Sequence, residues 1–354
     1  MKKKIIINDF IINESVCNLS CKYCLSNDMS NKKKEKINAV SGVLSKEMNV
    51  VDRATNVLDV YETYIDADVL QLSGGEIFLN DGILNLVMKK SNRYKYIYIL
   101  TNGCVIDDYT IDTLSSVGNV VIGLSLDGHT LDMNQYRFKE KKILDVIMSN
   151  ISKMHKKQIP IIVNSVIHDM NVNGYHDFLK FLADGFPNVG VFPIAMRGES
   201  AERFKPSTDD LRILMDIAND CGLYGRLRMI PTYFEELYKV LTGMTYTNRC
   251  AIPYLATELL DSGILFPCPL FWIGELGNVL SDAPTAVFDK VGKHKVYSVL
   301  TRRSGSIPFC RNCFSSYSLF NLYATGVIKE DDLRVVPFLD YEHVGAHIQD
   351  ILHL

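Results

Sequence analysis

Residues 5–24 read IIINDFIINESVCNLSCKYC, an apolar, β-branched run that ends in three cysteines, Cys17, Cys21 and Cys24. The run 5–15 has the composition of a strand, and polar residues close it. Three thiols in one short loop can converge on a single metal centre. Thiolates in iron–sulfur clusters each ligate an iron, so three cysteines on a four-iron cluster leave one iron open to another ligand. Structural zinc asks for four ligands, and the next cysteine or histidine along the chain is the distant Cys104. Zinc completed by Cys104 or His129 folding back is the alternative reading.

Working outward, further strand-like runs occupy 69–73, 96–101, 120–126, 161–167 and 189–193, separated by longer amphipathic stretches. One such stretch carries Ile143, Val146, Ile147, Ile151 and Met154 at helical spacing. Alternation of this kind predicts an α/β fold with a parallel sheet, here a partial (β/α)6 TIM-like barrel. Chemistry in such sheets collects where the strands end. The residues that follow these runs fit that rule: Cys17, then Gly74-Gly75-Glu76, then Asn102-Gly103, then Ser125 to Gly128. The expected divisions are a barrel over 1–205, a helical linker over 206–245 starting at Pro206-Ser207, a cysteine-rich α+β domain over 246–320, and a tail over 321–354. Whether Tyr341, His343 and His347 of that tail cap the barrel or reach a substrate is left open by periodicity.

A net charge of −3 gives no electrostatic case for nucleic acid or anionic membrane as partner. The basic run 32–36 reads as a solvated loop. No apolar run reaches the ~18 residues needed to span a bilayer. Asn8, Asp9 and Asn13 interrupt the first apolar stretch too early for a signal peptide. The expectation is a cytoplasmic protein whose nine cysteines serve metal or catalysis rather than disulfides.

CNLSCKYC resembles the signature of the radical S-adenosylmethionine (SAM) superfamily. The resemblance implies that Cys17, Cys21 and Cys24 hold a [4Fe-4S] cluster whose open iron is chelated by SAM, with Tyr23 near the adenine. LSGGEIF resembles the family's GGE motif, which implies that Gly74 and Gly75 let the backbone approach SAM and that Glu76 accepts from its ammonium group. TNG at 101–103 and SLDG at 125–128 resemble the third and fourth strand ends of the branch that modifies peptides and proteins. They imply SAM contacts from Asn102 and Ser125, with Arg137, twelve residues after Ser125, on the SAM carboxylate. Asp127 either touches SAM ribose or substrate, or shapes the turn.

A second set, Cys250, Cys268, Cys310 and Cys313, ends in a C-x2-C. Residues 249–268 read as a β-hairpin with Asp261-Ser262-Gly263 as its turn, which brings Cys250 and Cys268 together. Four cysteines suit zinc as well as iron and sulfide. The layout resembles the SPASM and twitch auxiliary-cluster domains. With no cysteine after Cys313, it is similar to the shorter twitch form, which implies one auxiliary, fully ligated [4Fe-4S] cluster. Cys104 and Cys221 read as small buried hydrophobes.

The resemblance implies reductive cleavage of SAM to a 5′-deoxyadenosyl radical, an electron supplied by a flavodoxin- or ferredoxin-type reductant, and oxidation of the substrate radical by the auxiliary cluster. Candidate catalytic residues, by chemistry alone, are Asp127, Glu199 and Glu258, with Tyr254 and His129 as further bases. Two substrate readings follow. The favoured one is oxidative maturation of a ribosomally made peptide, by thioether or carbon–carbon crosslinking. The other is dehydrogenation of a small-molecule alcohol such as an aminocyclitol, to which Gly277 to Val279 also points. The sixteen residues before Cys17 leave no room for a leader-binding domain, which counts against the first. A non-enzymatic zinc-binding α/β module is the remaining alternative.

Overall fold

The structure, a computed structural model, describes residues 2–25, 49–244, 249–272, 274–302, 307 and 310–353. The basic run 32–36 and the side chain of Glu199 lie outside the described residues. Strands β1 (Lys3–Ile12), β2 (Ile65–Gly74), β3 (Tyr96–Thr101) and β4 (Val120–Ser125) stand side by side in chain order and parallel. The expected fifth and sixth strands are each split: β5 (Ile161–Asn164) is followed by β6 (Val166–Ile167), and β7 (Gly190–Val191) by β8 (Ile194–Ala195). The first break falls at Ser165, whose hydroxyl donates to Leu126 O at 2.6 Å. The second flanks Pro193, which has no N–H to give the ladder. Both pieces remain paired, β5 with β7 and β6 with β8.

Helices fill the connections. Asn49 caps Val50–Tyr64 by accepting from Val51 N, and Asp107 caps Asp108–Val117 by accepting from Thr110 N. Gly118, at φ 83°, ends the second of these. Helix Lys141–Lys156 buries Leu144, Ile147, Ile151 and Met154, whereas Val146 is 43% exposed. The buried stripe is thus rotated from the expected one, with Leu144 taking the place assigned to Val146.

The hairpin is shorter than the expected 249–268: β9 (Ala256–Leu260) and β10 (Ile264–Phe266) pair antiparallel around Gly263 at φ 87°, while Ile252–Leu255 is a short helix. β11 (Gly277–Asn278) adds to β10. The sequence did not indicate where this hairpin docks. β9 runs parallel to β1, with Asp9 opposite Glu258 and Phe10 opposite Leu259, so the sheet order is β11-β10-β9-β1-β2-β3-β4-β5-β7. A buried ion pair between Arg53 and Asp261 (2.6 Å) clamps the hairpin turn to the first helix. Asp261 also accepts from Asn13 N, close to the cysteine loop.

The tail caps the barrel. Tyr341 and His347 both reach Asp68, at 2.7 and 2.6 Å, near the start of β2 and so at the end away from the cysteines. Phe338 packs on Tyr98 inside the sheet, with ring centroids 4.5 Å apart. His343 stays exposed. Among the described residues no helix is long and apolar enough to cross a membrane.

Candidate active site

The ends of the parallel strands surround a cavity of about 360 Å³. Cys17, Cys21 and Cys24 all line it, although among the described residues no three His, Cys, Asp or Glu side chains stand close enough to share one metal ion. Backbone bonds fix their loop: Glu76 N donates to Val16 O and Lys22 N to Tyr136 O, each at 2.8 Å. Asn102 Nδ2 donates to Asn18 Oδ1, also at 2.8 Å. Burial pushes the Cys17 and Cys21 thiols up. Ionisation of these thiols is thus a task for a bound cation. Cys104 sits behind the loop, hydrogen-bonded to Asn18 and pushed up to about 12 by burial, and does not line the cavity. Cys221 is exposed and bonds Asn219 O.

Gly74 and Gly75 line the cavity, yet their first duty is to the chain itself. A Cβ at Gly74 would stand 2.0 Å from Ile12 O, and one at Gly75 2.1 Å from Val16 O. Any side chain there would push the cysteine loop off the second strand end. Glu76 bonds to the chain itself. It is fully buried and does not line the cavity; its carboxylate accepts from Thr101 Oγ1 and Asn102 N, each at 2.7 Å. Burial raises its carboxyl, and those two donors offset part of the rise. In this arrangement Glu76 braces the third strand end, while Tyr23, Gly74, Gly75, Asn102, Ser125 and Arg137 line the cavity.

Asp127 is likewise internal. With no exposed surface, its carboxylate meets Arg137 (Nε at 2.9 Å, Nη2 at 3.0 Å), Val166 N at 2.9 Å, His168 Nε2 at 3.4 Å and the Tyr23 hydroxyl. Burial works to raise this carboxyl, but the charges of Arg137 and His168 hold it below the usual range. Asp127 thus sits at the centre of an internal network. It fixes Tyr23 and Arg137, which do line the cavity, with the guanidinium 5.3 Å from the Tyr23 ring centroid.

The cavity floor is polar: Asp9, Gln71, Tyr98 and Glu258 project from successive strands, with Tyr317 beside them. Tyr317 donates to Gln71 Oε1 at 3.1 Å, Asn164 Nδ2 to Tyr98 Oη at 2.7 Å, and Trp272 Nε1 to Glu258. Among the proposed bases whose side chains are described, only Glu258 lines this cavity. His129 stacks on Phe181 and Phe178, and Tyr254 packs on Tyr297; neither lines it.

Cys250, Cys268, Cys310 and Cys313 line a second, small cavity of about 30 Å³. Burial raises all four thiols, Cys250 to about 12 and Cys310 to about 11. Among the described residues no three His, Cys, Asp or Glu side chains stand close enough to share one metal ion. Pro269 and Leu270, just after Cys268, line the large cavity, so the two sites share a wall. Sequence reasoning missed Arg197, Trp272, Tyr317 and Asn321 as parts of these sites. Arg197 directly follows a strand end, the one signal that was available for it.

Residues 15–182 match the model of the radical SAM superfamily. The chain is 27% identical over 282 residues to the sporulation killing factor maturation protein SkfB of Bacillus subtilis, covering 76% of this chain and 61% of that one. It thus spans about three-fifths of that relative's length. It is 22% identical over 274 residues to the uncharacterized protein MJ0907 of Methanocaldococcus jannaschii, covering 74% and 85%. Among solved structures, Streptococcus suis SuiB bound to S-adenosylmethionine superposes with a TM-score of 0.58 at 15% identity, covering 87% of this chain and 72% of that one. The enzyme anSMEcpe with bound AdoMet gives a TM-score of 0.59 at 16% identity, covering 98% and 96%. These two share the fold. With the cysteine triplet in its loop, the glycine pair beneath it and the domain match together, residues 15–182 form a radical SAM domain.

Proposed function

We propose that this radical SAM enzyme matures a ribosomally made peptide by an oxidative crosslink, with a second [4Fe-4S] cluster on Cys250, Cys268, Cys310 and Cys313. The observation that carries the reading is the shared wall: one cavity has the cysteine triplet on one side and the chain leaving Cys268 on another. The superfamily's own cluster and SAM supply a 5′-deoxyadenosyl radical when bound. Cys17, Cys21 and Cys24 would hold that cluster, while Tyr23, Gly74, Gly75, Asn102, Ser125 and Arg137 line the space beside it for SAM.

A C–H hydrogen atom of the peptide leaves to the deoxyadenosyl radical. Forming the new bond from the substrate radical then releases one electron and one proton. A cluster held by Cys250, Cys268, Cys310 and Cys313 would supply the acceptor for that electron, and Glu258, on the cavity floor, would take the proton. A ferredoxin- or flavodoxin-type carrier would then carry that electron away. The peptide reading is supported by the relatives: SkfB is a maturation protein, and SuiB has been crystallised with the precursor peptide SuiA.

Co-expression with short peptides encoded beside the gene tests the proposal. A mass loss of two hydrogens from one of them is expected. Unmodified peptides together with oxidation of an added aminocyclitol would favour the dehydrogenase instead. Glu258→Gln should still form 5′-deoxyadenosine while crosslinked product falls ~10²-fold or more, as for loss of a general base. Full crosslinking by that variant removes Glu258 from the scheme.

A further inference from the structure

We propose that Trp272 is a positioning residue for Glu258, its indole N–H holding the carboxylate in place on the cavity floor and in its ionised form. The inference rests on the reading of Glu258 as the proton acceptor and deepens it.

Glu258 is buried and lines the large cavity. Trp272 lines the same cavity, and its Nε1 donates to Oε2 of Glu258. More than this bond holds the ring. The indole packs on a small apolar cluster of Ile11, Leu260 and Phe266, contributed by β1, β9 and β10. Phe266 is the cross-strand partner of Glu258, and Leu260 lies on the same strand as the carboxylate. The hairpin that carries Glu258 therefore also seats the ring that bonds it, so the donor is in place before any substrate enters.

The neighbours of Glu258 explain why a donor is needed there. On β1, Asp9 stands opposite Glu258 and lines the same cavity, with Ser73 Oγ donating to its Oδ1 at 2.9 Å. A like charge on the adjacent strand disfavours ionisation of Glu258, as does burial, yet a base must be ionised to accept a proton. On β10, Phe266 brings no charge. The hydroxyls of Tyr98 and Tyr317 on the floor are engaged with Asn164 and Gln71. Of the two arginines that line the cavity, Arg137 is paired with Asp127 and Arg197 donates to Leu270 O at 2.9 Å. An indole N–H is a donor only, so it bonds the ionised carboxylate without competing for the proton.

Trp272 is the only tryptophan in the chain, which makes two tests specific to it. The first needs no substrate: tryptophan emission of the anaerobically reconstituted protein is followed against pH. A transition present in the wild type and missing from Glu258→Gln is expected, and identical curves overturn the contact. The second replaces tryptophan by β-(benzothiophen-3-yl)alanine, in which sulfur stands for the N–H with little change of shape. Crosslinked product per 5′-deoxyadenosine is then measured against pH with the co-expressed peptide that loses two hydrogens. Removing a donor from a carboxylate raises its proton affinity about tenfold, so the acid limb of this ratio should move up by about one pH unit. Formation of 5′-deoxyadenosine should keep its wild-type rate. An unmoved acid limb overturns the proposal, and so does an equal fall in 5′-deoxyadenosine, which would leave Trp272 a packing role alone. Full crosslinking by Glu258→Gln would instead overturn the reading of Glu258 on which the proposal rests.

Discussion

Replacing Asp127 by Asn tests how the site is held together. The carboxylate has no exposed surface, and its partner Arg137 has a side chain 9% exposed, so both charges are out of water and balance each other. Asn keeps the shape and one acceptor but removes the charge, leaving a buried guanidinium uncompensated. Breaking a buried pair from one side costs about 3–5 kcal/mol. The same change frees Tyr23 and Arg137, both expected at SAM, so SAM binding should weaken about tenfold or more, ~1.4 kcal/mol. Urea unfolding under anaerobic conditions and equilibrium SAM binding measure the two effects. The sign with pH follows from the lowered Asp127 carboxyl. Its stabilisation is complete above the unfolded value, about pH 4, and is lost as pH falls through the lower folded value. Asp127→Asn should therefore remove a component of wild-type acid sensitivity below about pH 4. Adding Arg137→Gln should restore part of the lost stability, because no orphan charge remains. A single variant within ~0.5 kcal/mol of wild type, with unchanged SAM affinity, would refute the hub assigned to Asp127.

Gly75→Ala should abolish iron at the first site while leaving the second loaded, since its Cβ would meet Val16 O at 2.1 Å; iron counts separate the two sites. Phe338→Ala should cost about 3–5 kcal/mol of stability by opening a hole against Tyr98 beneath the cavity, with SAM affinity changed much less. Asp68→Asn should loosen the tail through Tyr341 and His347, read as faster amide exchange over Val344–Leu352, without loss of iron from either site.

Much of the barrel was legible because its signals are local. Runs of β-branched residues marked β3 and β4 to within a residue, and the cysteines, glycines and Ser125 sit at strand ends, where a parallel sheet gathers its chemistry. What stayed hidden depends on partners far apart in sequence. Asp261-Gly263 announced a turn, but no local pattern says that Glu258 will lie opposite Asp9. Glu76 was read as a ligand contact, and Asp127 as either a ligand contact or a turn former, because acidic residues at strand ends often meet ligands. Their burial appears only once Arg137, Val166 and Asn102 surround them. Val146 was read as core because the stripe allowed either rotation of its helix, and packing chose Leu144. Tyr341 and His347 carried no direction until Asp68 gave them one.

The most direct test of the two-site account is the iron and acid-labile sulfide content of protein reconstituted anaerobically, compared with the Cys310→Ala/Cys313→Ala variant. The account predicts about eight of each per chain for the wild type and about four for the variant, as two four-iron clusters require. Zinc in the second site, or equal iron in both proteins, would contradict it.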